Sequence, residues 1–102
     1  VLRKASYSAF SHPGLARALR DSGVEDIVVC GVATNLCVES TVRDAFERGW
    51  RTWVPADATA AWTVDLYTGS LRNLAYGFST ITTAALISSR KKPQRRNHGS
   101  SV

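Results

Sequence analysis

Residues 26–45, DIVVCGVATNLCVESTVRDA, pass from a continuous aliphatic run through a turn of small residues into a stretch with helical spacing. An unbroken Ile-Val-Val run predicts a central parallel strand over Asp26–Gly31, buried on both faces. Beyond the GVATN turn, Cys37, Val38, Thr41, Val42, Ala45 and Phe46 fall on one stripe, which predicts a helix over Leu36–Arg48. Glu39–Arg43 and Asp44–Arg48 stand four residues apart on its wet side, and Gly49 ends it. A strand that feeds directly into a helix is half of a βαβ unit, and few folds accept one.

The flanking chain extends the same alternation. Residues 1–12 read as an extended entry and a loop, and Pro13-Gly14 leads into a helix over Leu15–Ser22 that Gly23 stops. Arg51–Ala56 reads as a second strand, weakened at its end by Pro55, and DATAAW as a loop. A helix over Asp65–Phe78, a short strand over Ser79–Thr82 and a helical turn around Ala84–Ile87 follow. The order predicts an α/β fold: a three-layer α/β/α arrangement on a parallel sheet with right-handed crossovers. In such sheets ligands bind at the carboxyl ends of the strands. The turn 31–36 and the loop 56–62 both belong there, which puts Cys37 and Asp57 on one rim.

At 102 residues the chain holds one domain, expected over residues 1–87. Residues 88–102 are polar, basic and free of aromatics, and are expected to be a disordered tail. No methionine occurs, even at position 1, so the sequence is expected to begin inside a longer protein. The net charge of +5 is uneven. Five of the thirteen basic residues, Arg90, Lys91, Lys92, Arg95 and Arg96, lie in the acid-free last stretch, leaving eight to balance the eight acids elsewhere. A neutral body argues against a nucleic-acid partner for the folded part, and the basic tail is read as solvated or as a targeting segment. Cys30 and Cys37 are too few for a disulfide framework, and their spacing suits neither CxxC redox chemistry nor zinc. The run IVVCGVA is too short to span a bilayer, and no signal peptide is visible, so a cytoplasmic location is expected.

Cys37 is the first candidate for chemistry. A thiol in the first turn of a helix meets unpaired N–H groups and the positive dipole end, which favour a nucleophilic thiolate. The alternative is a small buried hydrophobe within the stripe. Cys37 and Arg43 also have the C-x5-R spacing of thiol phosphatases, but the intervening VESTV is helical and offers no glycine-rich phosphate cradle.

Three separated segments, KASYSAF, VVCGVATNLCVESTVRDAFERGW and VPADATAA, together resemble the isochorismatase-like cysteine hydrolases, a family that includes nicotinamidases and N-carbamoylsarcosine amidases. The likeness covers residues 1 to about 85 and corresponds to the C-terminal part of a family member. It implies a Cys-Lys-Asp triad in which Cys37 is the nucleophile and Lys4 the catalytic lysine. It also implies a cis peptide between Val32 and Ala33 and an oxyanion hole built from the Ala33 and Cys37 amides. The family's aspartate lies upstream and has no counterpart here; the metal-binding Asp/His set of nicotinamidases is likewise upstream, so no metal or cofactor is expected. Tyr7, Phe10 and Thr34 are the candidate substrate contacts. Asp57 is read as a capping carboxylate, His12 as a solvated loop residue, and Trp50, Trp53 and Trp62 as core, pocket or interface residues. The implied function is hydrolysis of an amide, ureide or similar C–N bond of a small molecule through a thioester, in a homo-oligomer without membrane contact. The competing expectation is a catalytically inactive truncated paralogue that serves as an oligomer partner.

Overall fold

The computed structural model describes Lys4 and residues 6–89. The expected disordered tail falls almost wholly outside these residues. In chain order the elements are α1 (Leu15–Asp21), β1 (Asp26–Val28), β2 (Gly31–Val32), α2 (Glu39–Glu47), β3 (Arg51–Pro55), β4 (Thr59–Ala60), α3 (Val64–Gly77), β5 (Thr80–Thr82) and α4 (Ala84–Ser89). Short 3-10 turns at Ala9–Ser11 and Ala56–Ala58 and a π-helical turn at Thr34–Val38 join them. Among the described residues the strands form a parallel sheet in the order β1-β3-β5 and a separate parallel pair, β2-β4. The α/β alternation expected from the sequence is therefore what the chain builds.

Helices α1 and α2 each stop where the sequence places a glycine. Past α1, the Gly23 N–H donates to the Arg20 carbonyl and the Val24 N–H to that of Leu19. Past α2, Gly49 and Trp50 repeat the pattern on Phe46 and Ala45. Both glycines have positive φ, 74° and 98°, the left-handed cap conformation that a side chain disfavours. The final helix runs to Ser89, two residues past the expected domain end.

Two expectations about the first strand are corrected. Asp26–Gly31 is not one strand: it breaks after Val28, and Gly31, at φ 110°, turns the chain away to pair with β4 in place of β3. Nor is the run buried on both faces. Ile27, Val54 and Ile81 lie toward the helices, while Val28 alternates to the opposite face and is 48% exposed. No described helix packs over it.

The helix-side core has two parts. Val29, Val38, Val42, Val54 and Leu74 form one, with Ile27, Leu71, Phe78 and Ile81 against it. Phe10, Ala45 and Trp50 form the other, with Leu15, Leu19 and Val24 around them. The Phe10 and Trp50 rings stack at 5.4 Å, and the Trp50 indole donates to the Val24 carbonyl at 2.9 Å, so the buried ring leaves no donor unpaired. Helix α2 supplies both clusters and so holds the two halves together. Phe46, expected on the buried stripe, lies at its margin, partly exposed and edge-on to Phe78 at 5.2 Å.

Leu74 is fully buried where α3 meets β3 and α2. Leu74→Ala is expected to cost about 2–5 kcal/mol through lost transfer energy and a residual cavity, measured as a drop in unfolding free energy in denaturant titrations.

Candidate functional site

The loop between β2 and α2 carries the cysteine. The Val32–Ala33 peptide is cis, and the Ala33 carbonyl accepts from the N–H groups of both Leu36 and Val38 at 3.1 Å. The second of these bonds spans five residues and makes Thr34–Val38 a π turn, a rare form often found at functional sites. Cys37 therefore sits in a wider turn than the regular helix start read from the sequence. Val38, Thr41, Val42 and Ala45 are buried, whereas Cys37 stays half-buried.

Three contacts fix this turn on the fold. The hydroxyls of Thr34 and Thr59 share a hydrogen bond at 2.7 Å, fully buried, which adds to the β2–β4 pairing of Val32 with Ala60. The Ser70 hydroxyl of α3 lies 2.7 Å from Glu39 Oε1 and 3.2 Å from the Thr34 carbonyl. Its single proton serves one acceptor at a time, and the shorter, charge-assisted bond is the stronger. Glu39 also pairs with Arg43 at 3.5 Å, and Arg43 lies over the Phe78 ring. Arg43 is thus committed to the helix surface, far from the role that C-x5-R spacing would give it.

Lys4 reaches this turn from 33 positions away in sequence. Its Nζ lies 3.5 Å from Cys37 Sγ, 3.0 Å from the Ser6 carbonyl and 3.1 Å from the Tyr7 carbonyl. An ammonium has three hydrogens and no lone pair, so these acceptors account for all three.

Other candidates stand elsewhere. Tyr7 contributes its carbonyl to Lys4, and its ring is exposed. Phe10, a candidate substrate contact, is 7% exposed and belongs to the core with Trp50. Thr34, another, is 0% exposed and its hydroxyl is engaged by Thr59. Burial removes both side chains from direct contact with a bound molecule. His12 accepts from the Gly14 N–H at 2.9 Å through Nδ1, a local turn contact. Trp62 is exposed, and Trp50 is core. Asp57 accepts from the Ala84 N–H at 2.8 Å and so caps the start of α4. Asn35, within the π turn, buries its Oδ1 with no hydrogen-bond partner among the described residues. Among those residues no three His, Cys, Asp or Glu side chains gather in a way that could hold a metal. No described helix is long and apolar enough to cross a membrane.

Sequence reasoning missed the Ser6 and Tyr7 carbonyls, because backbone acceptors carry no residue signature. It also read Thr41 as part of an apolar stripe, although its hydroxyl accepts from the Ala9 N–H at 2.9 Å.

Parallel strands joined through helices, with a strand-to-helix turn that holds a cysteine beside a lysine, place the chain in the α/β class. The isochorismatase domain profile matches residues 1–85, and the chain belongs to that family. It is 43% identical over 79 residues to nicotinamidase 3 of Arabidopsis thaliana, covering 78% of this chain and 40% of that protein. It is 42% identical over 86 residues to the ureidoacrylate amidohydrolase RutB of Methylorubrum extorquens, covering 83% of this chain and 35% of that one. The structure of an isochorismatase-like hydrolase from Alkaliphilus metalliredigens superposes with a TM-score of 0.81 at 30% identity, over 85% of this chain and 47% of that one. The chain thus spans less than half the length of the relatives it matches.

If Asp57 only caps α4, Asp57→Ala should lower stability by about 0.5–2 kcal/mol while leaving the reactivity of Cys37 toward iodoacetamide unchanged. Thermal unfolding and alkylation rates measure the two effects separately.

Proposed function

We propose that the complete protein hydrolyses a C–N bond of a small amide or ureide, with Cys37 as nucleophile. The observation that carries this reading is the 3.5 Å contact between Lys4 Nζ and Cys37 Sγ, in a chain of the isochorismatase family. The names of two relatives, a nicotinamidase and a ureidoacrylate amidohydrolase, support an amide-type substrate.

In this reading the Cys37 sulfur attacks the carbonyl carbon, and the C=O electron pair moves onto oxygen. The Ala33 and Cys37 N–H groups donate to that oxygen; one such donor is typically worth about 10²–10³ in rate. The electron pair returns, the C–N bond breaks, and the nitrogen leaves with a proton as amine or ammonia. The proton comes from a carboxylic acid, the role the family resemblance assigns to an aspartate that these 102 residues do not contain. Water then attacks the thioester carbonyl, its proton returning to the carboxylate, and releases the acid and the thiolate. Lys4 holds the sulfur's negative charge before attack and after release. Residues outside this chain complete the substrate pocket, and we place a second copy of the protein among their sources.

A second reading, an inactive oligomer partner, draws on the exposed Val28 and Val32 along the β1 and β2 edges, which suit docking against another polypeptide.

Ammonia release from nicotinamide and from ureidoacrylate distinguishes the two readings. The full-length protein is expected to turn over one such amide, and Cys37→Ala to abolish turnover. Unchanged activity in Cys37→Ala would end the thiol mechanism. Release of ammonia by the 102-residue chain alone would end the inactive reading.

A further inference from the structure

The segment carrying Lys4's two carbonyl partners is fastened to α2, the helix that directly follows the cysteine-bearing turn. The Ala9 N–H donates to Thr41 Oγ1 at 2.9 Å, and the Ser8 hydroxyl donates to Asp44 Oδ2 at 3.0 Å. Thr41 and Asp44 lie one and two turns beyond Cys37, counted along the π turn and α2. Within the segment, Ser8 Oγ accepts from the Phe10 N–H at 3.1 Å, and Ser11 Oγ accepts from the Ser6 N–H at 3.0 Å. Asp44 is itself held by Arg48 Nε at 2.9 Å. A closed circuit results: Cys37, Lys4, the Ser6 and Tyr7 carbonyls, Ser8 and Ala9, then Thr41 and Asp44 on the helix that began with Cys37.

We propose that Thr41 and the Ser8–Asp44 pair are positioning residues that set the distance between the Lys4 ammonium and the Cys37 sulfur. The proposal rests on reading Cys37 as nucleophile and Lys4 as its cation. Lys4 is exposed and has a long, flexible side chain, so nothing in its own packing holds it at the sulfur. Its position comes from the two carbonyls, and theirs from the hydrogen bonds to α2. If the loop lifts, water enters between ammonium and sulfur, and their attraction falls about fourfold, from the value at a protein surface toward that in bulk water.

Alkylation of Cys37 by iodoacetamide reads the thiolate without needing substrate or the absent carboxylate. A Cys30→Ser background removes the other, exposed thiol. Lys4→Met is expected to slow alkylation about tenfold at neutral pH. Thr41→Val, close in shape but without the acceptor, should slow it by roughly three- to tenfold, and Thr41→Ser should restore the rate. Ser8→Ala tests the second tie by the same readout and decides the matter if Thr41→Val does not fold by circular dichroism. Slower alkylation in Lys4→Met with unchanged rates in folded Thr41→Val and Ser8→Ala would overturn the positioning role and leave the Lys4–Cys37 reading intact. An unchanged rate in Lys4→Met would overturn both.

Discussion

Parallel pairing on both sides of β3 sets the terms for everything else in this chain. A parallel strand cannot be reached by a tight hairpin, so every passage between β1, β3 and β5 runs through a helix that returns over the sheet. That geometry puts the beginnings of α2 and α4, and the loops before them, at the carboxyl ends of the strands. The core that enforces it is small. Val54 of β3 meets Val38 and Val42 from the cysteine-bearing turn and α2, and Leu74 from α3, all of them almost completely buried. Since Val38 directly follows Cys37, the packing that stabilises the sheet also fixes the backbone beside the sulfur.

Around that fixed point the structure uses short-range polar ties in place of further apolar burial. Thr34 is locked to Thr59, Ser70 reaches Glu39 and the Thr34 carbonyl, and Asp57 reaches the Ala84 N–H. Each tie joins segments far apart in sequence at the same end of the sheet, so the site region is held by the partners of its hydrogen bonds. Lys4 completes the pattern, bringing a charge from near the start of the described chain to the thiol.

Much of this was legible beforehand, for identifiable reasons. Helix stripes and glycine stops carry their own periodicity and backbone demands, so α1, α3 and β3 fall within one residue of expectation, and α2 ends within one residue but starts three later, past the π turn. The first strand misled because its Ile-Val-Val pattern speaks of burial in a whole sheet. Among the described residues β1 is an edge strand with one open face, and Val28 is exposed there. Phe10 and Thr34 misled for the converse reason: an aromatic or a hydroxyl beside a motif has the same letter whether it lines a pocket or seals a core.

By itself the sequence determined which elements form, where they stop, which family they belong to, and that Cys37 begins a helix at the rim of a parallel sheet, because periodicity, capping and motif order are local properties of the chain. Only the tertiary structure decided that this beginning is a π turn, that Gly31 diverts the first strand toward β4, and that the Lys4 ammonium rests between two backbone carbonyls and the sulfur. Those outcomes depend on distances between segments tens of residues apart and on backbone acceptors that every residue possesses, and neither leaves a mark in the order of side chains.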